Sequence, residues 1–146
     1  MKYEHRFRVK ASLPAVNTFH RLAASLSAIT PPPIRVKVHR APAELSDGQE
    51  IDFTLCLGPF CLPWLARIES VTDAEFTDRQ LRGPFESWLH RHSFRRINEN
   101  ITEVTDQIDI QLKRSPGARL LGLGFVLGLP FLFAFRGWKT RALLEK

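Results

Sequence analysis

From Ile34 to Gln111 the chain alternates apolar and polar residues in successive short stretches, each closed by a turn signal. In IRVKVHR, Ile34, Val36 and Val38 share one face; in EIDFTLCL the set is Ile51, Phe53, Leu55 and Leu57. Beyond Gly58-Pro59 the stripe continues through Phe60, Leu62, Trp64, Ala66 and Ile68. Strand side chains point to opposite faces in turn, so this pattern predicts an antiparallel meander with one buried and one wet face. The opening MKYEHRFRVK alternates in the same way and predicts a further strand. It lacks the apolar core of a secretory signal, and a cytoplasmic location is expected.

Two stretches break the period of two. In ASLPAVNTFHRLAASLSAIT, Val16, Phe19, Leu22, Ala23 and Leu26 recur at helical spacing, with Ser12 placed to cap and Pro14 in the first turn. A short helical piece is expected around residues 25–28, and the prolines of TPPP end it. At the other end, Ser115 and Pro116 open a helix whose segment LLGLGFVLGLPFLFAF carries no charge over sixteen residues. That segment rises about 24 Å as a helix, short of a bilayer core of about 30 Å, so burial over the sheet is expected. Pro130 should kink it. The order is therefore α+β, with helices on one face of a curved antiparallel sheet, and residues 1–146 form a single domain.

Composition narrows function mainly by exclusion. A 44% apolar and 25% charged chain is globular rather than disordered. The net charge of +6 is spread among acids, without a basic block interleaved with aromatics, so nucleic-acid binding is not expected. No dinucleotide fingerprint, phosphate loop, nucleophile elbow or HExxH pattern occurs, and no cofactor is expected. Cys56 and Cys61 face each other across a Gly58-Pro59 hairpin, within disulfide reach, although two free thiols are the expectation for a reducing compartment. His20 is expected on the surface of the first helix, and Trp138 at a helix end.

The stretch GPFESWLHRHSF is harder to read as plain core. Trp88, His90, His92 and Phe94 share a face, while Ser87, Arg91, Ser93 and Arg95 occupy the other. If the hairpin at 82–86 pairs Gln80 with Trp88, Asp78 lies across from His90. If the next turn pairs Phe94 with Val104, Asp106 lies across from His92. Opposed side chains are close enough to bond. The expectation is a polar band, Asp78–His90–His92–Asp106, within an apolar concave face, each acid satisfying an imidazole.

The segments TPPPIRVKV, GQEIDFTL, PWLARI, FTDRQLRGPFESWLHRHSF and VTDQIDI together resemble the SRPBCC superfamily. Its members include START lipid-transfer domains, birch-pollen-type allergens and polyketide cyclase/dehydrase-like proteins. Phe76, Asp78, Gln80, Gly83, Pro84, Phe85, Trp88, His90, His92 and Phe94 match the pattern of a bacterial branch, F-x-D-x-Q-x-x-G-P-F-x-x-W-x-H-x-H-x-F. The resemblance implies a helix-grip fold: a seven-stranded antiparallel sheet wrapped around a long C-terminal helix, with an apolar cavity between them.

It also implies a small hydrophobic ligand that is carried, sensed or sequestered in that cavity. Pocket residues expected from the sheet are Phe53, Leu55, Trp64, Phe76, Gln80, Trp88, His90, His92, Phe94 and Ile108. Those expected from the helix are Phe125, Leu129 and Leu132. Two alternatives stand beside carriage. One is a cyclase- or dehydratase-like enzyme using His90, His92, Asp78 and Asp106 for acid–base chemistry, with Tyr3 and Arg82 as possible helpers. The other is an interaction protein whose apolar helix and basic tail, Arg136 to Lys146, dock on a membrane or a second subunit. No metal is expected, because the acids already account for both imidazoles.

Overall fold

Each alternating stretch becomes a strand. A computed structural model describes residues 1–145; Lys146, the last residue of the basic tail, lies outside the described residues. The elements run β1 (Lys2–Val9), α1 (Leu13–Arg21), α2 (Ala23–Ala28), β2 (Ile34–Arg40), β3 (Glu50–Leu57), β4 (Phe60–Glu69), β5 (Glu75–Arg82), β6 (Ser87–Asn98), β7 (Ile101–Gln111) and α3 (Pro116–Leu144). The strands form one seven-stranded sheet in the order β1-β7-β6-β5-β4-β3-β2, antiparallel throughout. Strands β2 to β7 are sequential hairpins; only β1 joins from afar, beside β7. Because β1 and β2 occupy opposite edges, the α1–α2 connection must cross the sheet, and it does so on the concave side.

Local chemistry explains the helix ends. Ser12 Oγ accepts from the Ala15 N–H, and Pro14 sits in the first turn of α1. At α3, Ser115 holds the cap position and Pro116 the first turn, but the serine side chain makes no capping bond, contrary to expectation. The helix continues through Pro130, whose ring is exposed.

The α3 segment is not buried all round, as its composition suggested. Gly122, Leu129, Phe133, Gly137 and Thr140 form the buried stripe, while Leu120, Leu127 and Phe131 are 73%, 81% and 68% exposed. The sheet and α1–α2 cover only one side of a single long helix. At 29 residues it spans about 43 Å, and it is the one described helix long and apolar enough to cross a membrane by length and composition. The sheet also falls short of its pattern at the edges. Val38 on edge strand β2, and Leu57 and Phe60 at the β3–β4 tip, are exposed because no helix reaches over them.

Two glycines let α3 approach. A Cβ at Gly137 would touch His5 and Phe7 of β1 at 3.4 Å, and one at Gly122 would sit 2.7 Å from a Leu112 methyl and 3.3 Å from Phe85. Gly122→Leu is therefore expected to destabilise by about 1–3 kcal/mol despite leucine's better helix propensity. Urea unfolding of the variant checks this, and an unchanged midpoint would contradict the close approach.

Candidate functional site

Between the concave sheet, α1–α2 and α3 lies a cavity of about 740 Å³. It survives because small residues occur where large ones would fill it: Ala66 on the floor, and Gly117, Gly124 and Gly128 along α3. A Cβ at Gly124 or Gly128 would meet nothing within 4 Å. The middle of the wall is aromatic. Trp64 stacks on Phe53 at 5.8 Å and meets Trp88 edge-on at 5.2 Å, and Phe125 of α3 completes the cage 5.7 Å from Trp88. Exposed Leu57, Phe60, Leu120 and Leu121 form the mouth. His20, Asp78, His90, His92 and Arg136 supply the ionisable part of the wall, and Ser25 and Thr30 add hydroxyls.

Strand register sets the polar band. Asp78 pairs with His90, His92 with Asp106 and Phe94 with Val104, as the turn arithmetic predicts; the β5–β6 ladder stops at Arg79–Leu89, so the Gln80–Trp88 pair is not part of it. The hydrogen bonds, however, run diagonally. His90 Nε2 donates to Asp106 Oδ1 at 2.8 Å, and His92 Nε2 donates to Asp78 Oδ2 at 2.7 Å. The directly opposed contacts are longer, 3.6 Å from His90 Nδ1 to Asp78 and 3.4 Å from His92 Nδ1 to Asp106. The two rings stack at 3.7 Å, which aims each edge at the far carboxylate. Phe76 stacks against His92 at 4.3 Å.

These contacts split the titrations. Burial pushes the His90 imidazole down, helped by the charge on His92, so His90 is neutral. Burial opposes charge on His92 as well, but the Asp106 carboxylate beside Nδ1 and the hydrogen bond to Asp78 outweigh it and raise this ring to about 9. Both aspartates are held below the usual carboxylate range, since bonds from and charges on the imidazoles overcome the penalty of burial. At neutral pH the band is two carboxylates and one imidazolium. Arg136 supplies the second positive charge from α3.

His20 is not a surface residue. It lines the cavity, its ring 4.9 Å from Phe94 and 6.5 Å from His92. Its Nδ1 donates to the Val16 carbonyl at 2.8 Å, which leaves Nε2 with a lone pair. Burial lowers this ring to about 4. One ligand atom each from Asp78, His90 and His92 also lies within 4.8 Å of the others, a spacing that can hold a metal ion. Both rings already donate to carboxylates there, and the His92 ring is protonated.

No family model and no curated protein matches the sequence. Solved structures do match. A protein from Chromobacterium violaceum superposes with a TM-score of 0.77 at 10% identity, covering 100% of this chain and 99% of that one. The Zhui aromatase/cyclase from a Streptomyces species gives 0.71 at 16%, covering 98% and 95%. A START superfamily protein from Mycobacterium smegmatis gives 0.63 at 10%, covering 99% and 97%. The shared architecture is the helix-grip fold.

Within this helix-grip frame the expected pocket residues divide. Phe53, Leu55, Trp64, Phe76, Trp88, His90, His92, Phe125 and Leu132 line the cavity. Gln80, Phe94, Ile108 and Leu129 do not. Gln80 bonds the Phe85 backbone through both ends of its amide and so clamps the Gly83-Pro84 turn. Phe94 packs against His20, Ile108 pairs with Tyr3 across β1 and β7, and Leu129 is fully buried on α3. Tyr3 packs on Phe133 outside the cavity and Arg82 is exposed, so neither assists the band. Asp106 holds its imidazoles from behind the wall. His20 and Arg136 are the ionisable wall residues that sequence reasoning missed, and the α1–α2 side of the wall, with Leu26 and Ile29, was missed as well. Arg136 lies one helical turn beyond Leu132, a spacing that could have flagged it.

The Cys56–Cys61 pair is bonded, not two free thiols. Direct pairing across the β3–β4 hairpin brings the Cα atoms to 4.1 Å, and the bond staples the tip that carries Leu57 and Phe60 to the mouth.

Proposed function

We propose that the protein binds a small hydrophobic molecule in this cavity, to carry, sense or sequester it. The observation that carries the reading is the combination of about 740 Å³ of space, an aromatic middle and a few polar groups in a mostly apolar wall. Ligand sites have this size and this sparse, convergent polarity. Native mass spectrometry of freshly purified protein is expected to show a co-purified organic molecule or uptake of an added apolar probe. Gly124→Phe fills open space beside the mouth, so uptake should fall at least about tenfold with stability retained or raised, since glycine is a poor helix former. Undiminished uptake by that variant would place the guest elsewhere.

Two further parts of the reading rest on their own observations. The exposed Leu120, Leu127 and Phe131 continue the apolar lip of the mouth, with Lys113, Arg114 and Arg119 nearby in sequence, which favours peripheral contact with an anionic bilayer during ligand exchange. Flotation with anionic vesicles is expected to recover the protein, and Leu127→Glu with Phe131→Glu to leave it in the soluble fraction. A cyclase- or dehydratase-like reaction is favoured only by the Asp-paired His92 at the cavity wall. Turnover that disappears in His92→Gln while binding persists would establish it. We place the protein in the cytoplasm, with no resident metal. A stable Cys56–Cys61 bond runs against a reducing compartment, and thiol alkylation in intact cells before mass analysis decides the matter.

A further inference from the structure

Arg136 is the one charged group in the cavity wall outside the histidine–aspartate band. It projects from α3, and its guanidinium carbon sits 5.1 Å from the Phe133 ring centre. Its Nε is enclosed without a hydrogen-bond partner, and no carboxylate among the described residues lies within 4.0 Å of it. A guanidinium offers five donors and no acceptor, so whatever satisfies it must bring an oxygen. Enclosing even one donor of a half-buried guanidinium unpaired is costly, which makes its place in an apolar cavity informative.

We infer that Arg136 is the head-group site of the cavity and that its guest is a single-chain amphiphile with a carboxylate at the buried end. This deepens the proposed function and rests on it. Four observations agree. First, α3 carries both ends of the route. Gly124 lies near the mouth and Arg136 twelve residues on, about 18 Å along the helix, so an elongated guest entering tail-last would span the aromatic cage. Second, the groups facing this end are His20 from α1, Asp78 from β5, and His90 and His92 from β6, with Asp106 of β7 behind the wall. Asp106 and Asp78 are each engaged by imidazole, so they do not compete for Arg136 at contact distance. Third, the imidazolium of His92 offsets part of the negative charge an incoming carboxylate would meet. Fourth, guanidinium and carboxylate match in geometry, and a charge-assisted bond in a water-poor site is stronger than one to a neutral hydroxyl.

The test compares two probes of equal chain length, dodecanoate and dodecanol, by calorimetry or fluorescent-probe displacement at neutral pH. Wild-type protein is expected to bind dodecanoate about tenfold or more tightly. Arg136→Met should erase that preference while still binding dodecanol, and Arg136→Lys should keep part of it. Equal affinity of the wild type for the two probes overturns the head-group site and leaves the cavity reading intact, as does a preference that survives in Arg136→Met. Failure of the wild type to bind either probe overturns both. Should Arg136→Met not fold, the wild-type comparison and Arg136→Lys still decide.

Discussion

Replacing Asp106 by alanine is expected to cost about 3–5 kcal/mol of folding stability, the largest effect of any single change at the polar band. Asp106 is buried on β7 and contacts both rings, accepting from His90 Nε2 at 2.8 Å and lying 3.4 Å from His92 Nδ1. Removing it strands a buried N–H on His90. It also takes from His92 one of the two charges that keep that ring protonated in a medium that disfavours charge. Asp106→Asn keeps the acceptor oxygen and should cost less, with the His92 pKa falling toward its ordinary value. Urea unfolding measures the first effect and imidazole NMR the second. A loss below about 1 kcal/mol for the alanine variant would mean that the diagonal network does not hold the sheet's concave face together.

The second large effect is a stability curve with two histidine limbs. His92 titrates near 9 folded against about 6.5 unfolded, so its contribution is complete below pH 6.5 and is lost as pH rises through 9. His20 runs the other way. Folded near 4 and unfolded near 6.5, it penalises the native state as pH falls between those values, because only the unfolded chain takes the proton. Each of these two histidines contributes roughly 3 kcal/mol, or about 6–12 °C in Tm for a chain of this size. Thermal unfolding is expected to peak near pH 6.5. His92→Gln should flatten the alkaline limb, and His20→Asn should make the acid limb shallower, with the remainder coming from His90, whose ring burial also lowers. Below pH 4 the aspartates, whose folded pKa values are depressed, add a further loss. A Tm that stays level from pH 6.5 to 9 in the wild type would show that His92 is not charged in the folded state.

Much of this fold could be read directly from residue order. The period of two along β2 to β7, the prolines after α2 and the Gly58-Pro59 turn fix which residues pair, because turn length leaves the strand register little freedom. Hence Asp78 and Asp106 could be placed opposite His90 and His92 from the chain alone. Which carboxylate each ring bonds could not. That depends on ring stacking and side-chain reach across three strands, a choice between distances differing by less than an ångström.

The same limit explains the other differences. Arg136 reads as part of a basic tail and His20 as a surface residue, since helical spacing shows which residues share a face but not what that face meets. The composition of α3 says apolar on all sides, yet only packing on the sheet divides it into a buried stripe, a cavity wall and a bare lip. Alternation and turns are local, and so the sequence by itself determined the strands, their register and the polar band. Rotation of a helix about its axis, and the space left beneath it, are set by long-range packing, and these only the tertiary structure decided.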